Sequence, residues 1–314
     1  MDSLAGFLNG PRARGAFLLK SVMDAPWALR IRDEAPLTVA AVVRGTAWVS
    51  YDDAEPVAMA AGDVAVMRGP DHYTVADRPE TQPQVIIGPG QVCTNLAGED
   101  MASGMSLGVR TWGNSPDGET VLLTGTYQGA GEITRRLLDA LPRLAVLAAD
   151  EWDCPVIPLL ADEIEKDALG QEVVLDRLLD LLIVAVLRAW FDRPGTAAPA
   201  WYTAHTDPIV GRAMRLLHNN PEYAWTVSSL AAATGVSRAA LARRFTELVG
   251  EPPISFLTTW RLALAADLLC DPEATVARVA RQVGYGSPFT FSTAFKRHHG
   301  VSPQEHRNRR AASA

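Results

Sequence analysis

The sequence predicts a multidomain chain, with an N-terminal all-β barrel carrying an appended helical segment and an all-α C-terminal third. Three observations predict it. Short β-forming runs punctuated by glycine and proline alternate over residues 27–90, with a further one at Val121–Tyr127. Charge is divided unevenly between the two ends of the chain. A helical pattern also repeats within residues 226–303.

Composition narrows the choice of class. The chain has 314 residues, about two domains at roughly 150 residues each. Hydrophobic residues make up 48% and charged residues 21%, ordinary globular values that exclude collagenous and disordered classes. The longest apolar run, Leu181 to Leu187, is closed by Asp180 and Arg188. It falls far short of the roughly 20 residues a membrane span requires, so no membrane partner is expected. The first ten residues carry an acid at position 2 and no basic segment before an apolar core. No secretory signal and a cytoplasmic location are therefore expected. Cys93, Cys154 and Cys270 are odd in number and widely spaced, which argues against a disulfide framework or a clustered zinc site.

The expected strands come first. Trp27–Ile31, Leu37–Val43, Ala47–Tyr51, Val64–Met67 and Val121–Tyr127 are β-rich runs between turn signals, the pattern of an antiparallel barrel or double-sheet roll. If the barrel encloses a small molecule, Trp27, Trp48, Met67, His72 and Tyr73 are candidate lining residues, because they fall on or beside these strands. Taken singly, each aromatic is better explained as ordinary core. Cys93 follows a strand-like run and is a sixth candidate. A reactive thiolate needs a basic neighbour, none is evident, and a buried inert thiol is the expectation.

Residues 134–192 read as helical: Ile133–Leu147, which contains Pro142, and Leu159–Phe191, which Gly170 breaks in two. From Leu175 onward the apolar face widens nearly to the full circumference, through Leu178, Leu179, Leu182, Ile183, Val186, Leu187 and Trp190. Such a helix must be buried, within its own domain or between subunits. Asp192-Arg193-Pro194-Gly195 through Pro199-Ala200 lacks apolar periodicity and reads as a linker.

The overall charge is −7, yet residues 205–314 hold 13 Lys+Arg and 8 Asp+Glu, a balance of +5, against 16 and 28, or −12, before them. A basic third on an acidic body suggests a nucleic-acid module joined to something else. Arginine supplies 26 of the 29 cations, and its planar fork suits phosphate and guanine edges. The repeat makes the case. Thr226-Val227 aligns with Thr275-Val276 and Gly235 with Gly284 at an offset of 49. After one inserted residue, Ser237, Phe245, Gly250 and Pro253 align with Ser287, Phe295, Gly300 and Pro303 at an offset of 50. Each unit reads as a short helix, a glycine turn, a serine N-cap and a second helix, the helix-turn-helix pattern. Leu241, Phe245 and Leu248 give the first unit its apolar face, and Phe291 and Phe295 the second. Between them, Pro253–Cys270 has helical spacing and spans about 27 Å at 1.5 Å per residue. With its turns it could hold two recognition helices near the roughly 34 Å separation of successive major-groove faces.

Residues 205–310 closely resemble the DNA-binding domain of AraC-type transcriptional regulators. The match is carried by Leu230-Ala231, Gly235-Val236-Ser237, Leu241, Arg243-Arg244-Phe245, Gly250, Pro253, Arg261, Ala280, Gly284-Tyr285, Phe291, Phe295-Lys296 and Gly300-Val301-Ser302-Pro303. The resemblance implies two helix-turn-helix units, about 226–249 and 275–299, each placing a recognition helix in the major groove of double-stranded promoter DNA. Ser237 caps the first recognition helix. Leu241 and Phe245 face its core, which leaves Arg238, Ala239, Ala242, Arg243 and Thr246 outward; the resemblance makes Ala239, Ala242 and Arg243 the base readers. Arg243 is the candidate for bidentate contact with a guanine, and Arg244, at the core margin, for a phosphate clamp. On the second helix Ser287 caps, and Pro288, Phe289, Thr290 and Thr293 face outward. Thr293 stands where many relatives carry arginine. Phe289 either meets a thymine methyl or packs locally. Lys296, Arg297 and Arg307 are expected to hold the phosphate backbone, and Arg307–Arg310 to form a solvated tail.

The N-terminal stretches VVRGTAWVS and AGDVAVMRGPDH resemble the small-barrel (cupin) sensing domain attached to one branch of these regulators. Gly62-Asp63, opening a strand that ends near Gly69 and His72, is similar to the second cupin motif. The implied organisation is a sensing and dimerisation domain over 1–192, with its helical dimerisation segment at about 159–192, a linker over 193–204 and a DNA-binding domain over 205–314. Leu178, Leu179, Leu182, Ile183, Val186 and Trp190 would form the homodimer interface. A small-molecule effector and a contact with RNA polymerase are the further partners implied. The rival is a metal-dependent cupin enzyme. Its ligand cluster normally includes two histidines and a glutamate from the first motif, yet Leu37–Glu55 holds no histidine and His72 is alone in the first 204 residues. Nucleophile-elbow, P-loop and dinucleotide signatures are absent as well. No catalytic residue, metal or cofactor is expected.

Overall fold

The computed structural model describes residues 17–127, 138–196, 198–271 and 273–311. The described residues form two compact units, one built on residues 17–127 and 141–196, the other on residues 198–271 and 273–311.

The first unit is a two-sheet β fold. One sheet contains β1 (Phe17–Met23), β3 (Leu37–Arg44), β6 (Val64–Arg68), β10 (Ser106–Gly108), β11 (Thr111–Gly113), β12 (Thr120–Tyr127) and β13 (Leu144–Leu147), in the order β10-β11-β1-β12-β3-β6-β13. The other contains β2 (Ala28–Ile31), β4 (Thr46–Ser50), β5 (Val57–Ala60), β7 (Tyr73–Ala76), β8 (Val85–Ile87) and β9 (Cys93–Asn95), in the order β5-β4-β7-β2-β8-β9. Met23, Trp27, Val42, Val49, Met59, Met67 and Leu122 pack together in its core. Strand β3 is buried continuously from Leu37 to Val42 instead of alternating. Two helices, α1 (Val156–Ile164) and α2 (Gln171–Asp192), follow the last strand, and α1 packs against β3.

The break between these helices falls at Gly170, whose φ of 82° is the left-handed conformation glycine adopts cheaply. The expected helix Ile133–Leu147 is corrected where it is described. Residues 133–137 lie outside the described residues, and Leu144–Leu147 is strand β13, paired antiparallel with β6 from Leu144↔Met67 to Leu147↔Val64. Four apolar residues after Pro142 are too few to establish a helical period, and pairing with β6 decides their state.

Helix α2 lies on its own sheet. Leu179 occupies the space beside Gly125 of β12, where any Cβ would collide with it, and the Tyr127 hydroxyl donates to Leu179 O at 3.2 Å. Of the six residues expected at a dimer interface, Leu179, Leu182, Ile183 and Val186 are therefore buried within their own chain. Leu178 and Trp190 are half-buried. The face of α2 turned outward instead carries Val173, Val174 and Leu181.

The second unit is all-helical: α3 (Ala200–Ala204), α4 (Val210–Asn219), α5 (Val227–Thr234), α6 (Arg238–Val249), α7 (Pro253–Leu268), α8 (Val276–Gln282), α9 (Pro288–His299) and α10 (Pro303–Ala311). Helix α3 stands inside the expected linker and packs on α6. The expected tail at Arg307–Arg310 belongs to α10, which Ser302 and Glu305 start reciprocally: Ser302 N donates to Glu305 Oε2 at 2.7 Å and Glu305 N to Ser302 Oγ at 3.2 Å. Helix α7, 16 residues and about 24 Å long, serves two cores. Phe256 and Leu257 join Leu230, Leu241 and Phe245, while Leu262, Ala265 and Ala266 join Val279, Phe291 and Phe295.

Candidate nucleic-acid interface

Each half of the repeat builds the same corner. Thr226 caps α5 through a reciprocal pair with Ser229, its hydroxyl accepting from Ser229 N at 3.0 Å. Gly235 then reverses the chain at φ 77°, and Ser237 caps α6 by accepting from Ala240 N at 3.2 Å. In the second half Thr275 accepts from Arg278 N at 3.2 Å, Gly284 turns at φ 79°, and Ser287 accepts from Thr290 N at 3.2 Å. The two serines thus fix where each helix begins, and their hydroxyl oxygens are engaged by that task.

The buried stripe of α6 is Leu241 and Phe245, and that of α9 is Phe291 and Phe295. The opposite faces are open. Arg238, Ala239 and Arg243 are exposed and Ala242 half-exposed on α6; Pro288, Phe289, Thr290, Thr293, Lys296 and Arg297 are exposed on α9. The Arg243 side chain is 76% exposed, its nearest charged partner being Glu247 one turn on at 3.5 Å. An i,i+4 pair in water is worth only about 0.3–0.5 kcal/mol, so the guanidinium is available to another acceptor. Thr293 differs: its hydroxyl donates to Phe289 O at 3.0 Å.

Arg244 is not solely a surface cation. Its Nε donates to Asp207 Oδ2 at 2.9 Å, and the other oxygen of Asp207 accepts from Ile209 N and Val210 N at 3.0 and 2.8 Å. One carboxylate thereby caps α4 and ties α6 to it. The Arg244 hydrogen bond holds the Asp207 carboxyl below its ordinary range. A depressed carboxylate contributes stability above its unfolded pKa of about 3.9, and loses it as pH falls through the lower folded value. Asp207→Asn, which keeps a capping oxygen but no charge, is expected to flatten the acid limb of the thermal stability curve below about pH 4. Asp207→Ala should cost about 1 kcal/mol at neutral pH as a lost cap. Melting curves from pH 7 downward check both.

A second tie lies in α7. Arg261 Nε donates to Pro221 O at 2.6 Å and Nη2 to Tyr223 O at 2.8 Å, and the guanidinium sits against the Gly284 turn. Asp207 carried no signal in the sequence beyond its charge, and Arg261 was visible there only as a matching position. Their roles depend on carbonyls and amides brought close by folding.

The two-sheet fold holds a partly open cavity of about 290 Å³, between apolar side chains such as Leu29, Ile31, Ile87 and Trp112 and a polar side formed by Asp33, Thr38, Gln91 and Thr126. Of the residues expected there, Tyr73 and Cys93 line it. Trp27 and Met67 lie in the core between the sheets, Trp48 is half-buried on β4, and His72 is exposed beyond β6. Asp33 accepts from Gln91 Nε2 at 2.9 Å. Burial, and then the charge of Asp100, pushes the Cys93 thiol up, and its Sγ donates to Gln91 O at 3.5 Å. These are the surroundings of a thiol, not a thiolate. Gly62 and Asp63 serve as a corner: Asp63 accepts from Ala60 N and Ala149 N at 2.7 and 2.8 Å. Among the described residues no cluster of His, Cys, Asp and Glu could hold a metal ion, and no helix is long and apolar enough to cross a membrane.

Two family models match the chain. A family model described as Cupin matches residues 2–192, and one described as Helix-turn-helix domain matches residues 230–309. An AraC-like transcription regulator of Streptomyces lividans is 31% identical over 98% of both chains. The HTH-type transcriptional regulator AlkR of Acinetobacter baylyi is 26% identical over 98% of this chain and 99% of its own. Among solved structures, the DNA-binding domain of AdpA, a global transcriptional factor in complex with a target DNA, is 32% identical. It covers 34% of this chain and 96% of its own, with a TM-score of 0.32. With a cupin-type N-terminal domain, a doubled helix-turn-helix and full-length likeness to a regulator of this kind, the chain belongs to the AraC-like DNA-binding transcription regulators.

Proposed function

We propose that this regulator reads promoter DNA with α6 and α9 in successive major-groove segments, and that Arg243 supplies its main base-specific hydrogen bonds. The observation that carries this reading is the open, arginine-bearing face of α6, opposite a fully packed one. A guanidinium can donate two hydrogen bonds to guanine O6 and N7. Arg243→Ala is expected to cost about 1–3 kcal/mol of binding and to relax one base position. Thr293→Ala should leave the preferences nearly unchanged, since that hydroxyl already serves its own helix. Selection from a random duplex pool, run for each variant, tests the order. Unchanged base preference in Arg243→Ala would overturn it. Affinity in the parent should fall steeply as salt rises, through counterion release.

The N-terminal unit, on this reading, dimerises the chain and receives its signal. The exposed side of α2 presents Val174, Leu178, Leu181 and Ala185 at the spacing of a two-helix seam, and that stripe replaces the inward-facing residues as the dimer contact. The largely apolar cavity with its hydroxyl-bearing side suits a small, mainly apolar effector. Native mass spectra of the protein isolated from cells would reveal such a molecule. The reading places the protein in the cytoplasm, gives it no catalytic step and leaves RNA polymerase as a further partner.

A further inference from the structure

We propose that Phe289 reads thymine methyl groups, so that α9 selects sequence by apolar contact while α6 selects by hydrogen bonding. The inference rests on the assignment of α9 to a major groove and adds the chemistry it recognises there.

Phe289 is 82% exposed at the second position of α9. Leaving a phenyl ring in water forgoes a large favourable burial, and its helix neighbours Phe291 and Phe295 are fully buried in the core. The ring contacts of that core, Tyr285 with Phe291 and Phe291 with Phe295, leave Phe289 outside. Nor does the fold require a large side chain here. At the repeat offset of 50 its counterpart is Ala239, at the same second position of α6 and also exposed. The same corner is therefore built with a methyl in one half and a benzyl group in the other.

The surroundings leave few polar alternatives. Pro288 has no N–H, the Ser287 and Thr290 hydroxyls pair with each other at 2.9 Å, and the Thr293 hydroxyl donates to Phe289 O. Between Pro288 and Ala294 there is no amide, guanidinium or ammonium side chain; the first cations, Lys296 and Arg297, stand in the last turn. A face of this kind keeps only hydroxyl oxygens with which to distinguish bases by donor and acceptor pattern, and no bidentate reader. The major groove offers it one apolar mark, the 5-methyl group of thymine.

The test replaces that methyl alone. Binding sites are selected with the full chain from a random duplex pool, and each thymine of the selected site is then changed in turn to deoxyuridine, which keeps every hydrogen-bonding atom. At one or two positions the unsubstituted protein should bind the deoxyuridine duplex about three- to fivefold more weakly, the effect of removing one buried methyl group. Phe289→Ala should bind the thymine and deoxyuridine duplexes equally, while keeping the base preference set by Arg243, which shows that the variant is folded. Phe289→Leu should retain part of the discrimination. Equal binding of both duplexes by the unsubstituted protein at every position would overturn the proposal. So would a Phe289→Ala variant that still distinguishes them, and so would one that loses affinity although the unsubstituted protein never distinguished them, which would mark the ring as a wedge between bases. Absence of salt-dependent binding to any duplex would instead overturn the DNA reading itself, and this proposal with it.

Discussion

Val186→Asp is expected to unfold the N-terminal unit, not to separate two chains. Val186 is 1% exposed on the face of α2 that lies inside its own unit, alongside Leu179, Leu182 and Ile183. Gly125 lets this helix sit close to β12, so the space beneath it has no slack for a carboxylate or its water. An unpaired buried charge costs about 3–5 kcal/mol or more, a large part of the 5–15 kcal/mol by which a domain is stable. Leu181, one turn away on the other face, is 51% exposed. Leu181→Asp should change stability by no more than about 0.5 kcal/mol, yet it puts a charge in the middle of the proposed seam and should shift sedimentation toward monomer. Circular dichroism melts and sedimentation of the two variants separate the roles. A folded, monomeric Val186→Asp would show that the inward and outward faces of α2 have been exchanged.

This pair also marks how far the sequence could be read. That α2 is apolar nearly all round was visible from Leu175 to Trp190, and so was its need for burial. Which flank faces the sheet depends on Gly125, more than fifty residues earlier, and no periodicity within the helix records that. The strands were legible where β-forming runs were bounded by turns, as at β3 and β12. β13 was not, because its state depends on pairing with β6. The repeat was legible because its caps and glycines are local chemistry, and the corners stand at Thr226, Gly235 and Ser237 and at Thr275, Gly284 and Ser287. The cavity was hardly legible: of the six residues expected there, Tyr73 and Cys93 reach it, while Asp33 and Gln91 come from loops that carry no motif and Thr38 from an interior strand whose facing is set by its pairing with β12 and β6. The ties through Asp207 and Arg261 escaped for the same reason, since their partners are backbone groups and side chains brought near by folding.

The two turn glycines, alike in the sequence, are expected to respond very differently to the same substitution. Gly235 and Gly284 both hold left-handed backbone, at φ 77° and 79°. A Cβ on Gly235 meets nothing within 4 Å, so Gly235→Ala should cost only the backbone strain, about 1–2 kcal/mol. A Cβ on Gly284 would lie 2.6 Å from Arg261 Nη2 and 2.8 Å from Glu222 O. Backbone cannot yield as a flexible side chain does. To make room, Arg261 must also release Pro221 O and Tyr223 O, two hydrogen bonds to a charged donor of the kind worth about 1.5–3 kcal/mol each. Gly284→Ala is therefore expected to cost about 3 kcal/mol or more, and to loosen the joint through which α7 holds the approach to α5 against the second turn. Denaturant unfolding of the two variants measures the difference. The double variant with Arg261→Ala should cost less than the sum of its parts, because removing the guanidinium removes one of the two collisions. If Gly235→Ala and Gly284→Ala prove equally mild, the Arg261 tie does not hold the second turn, and the repeat is as symmetric in its packing as in its sequence.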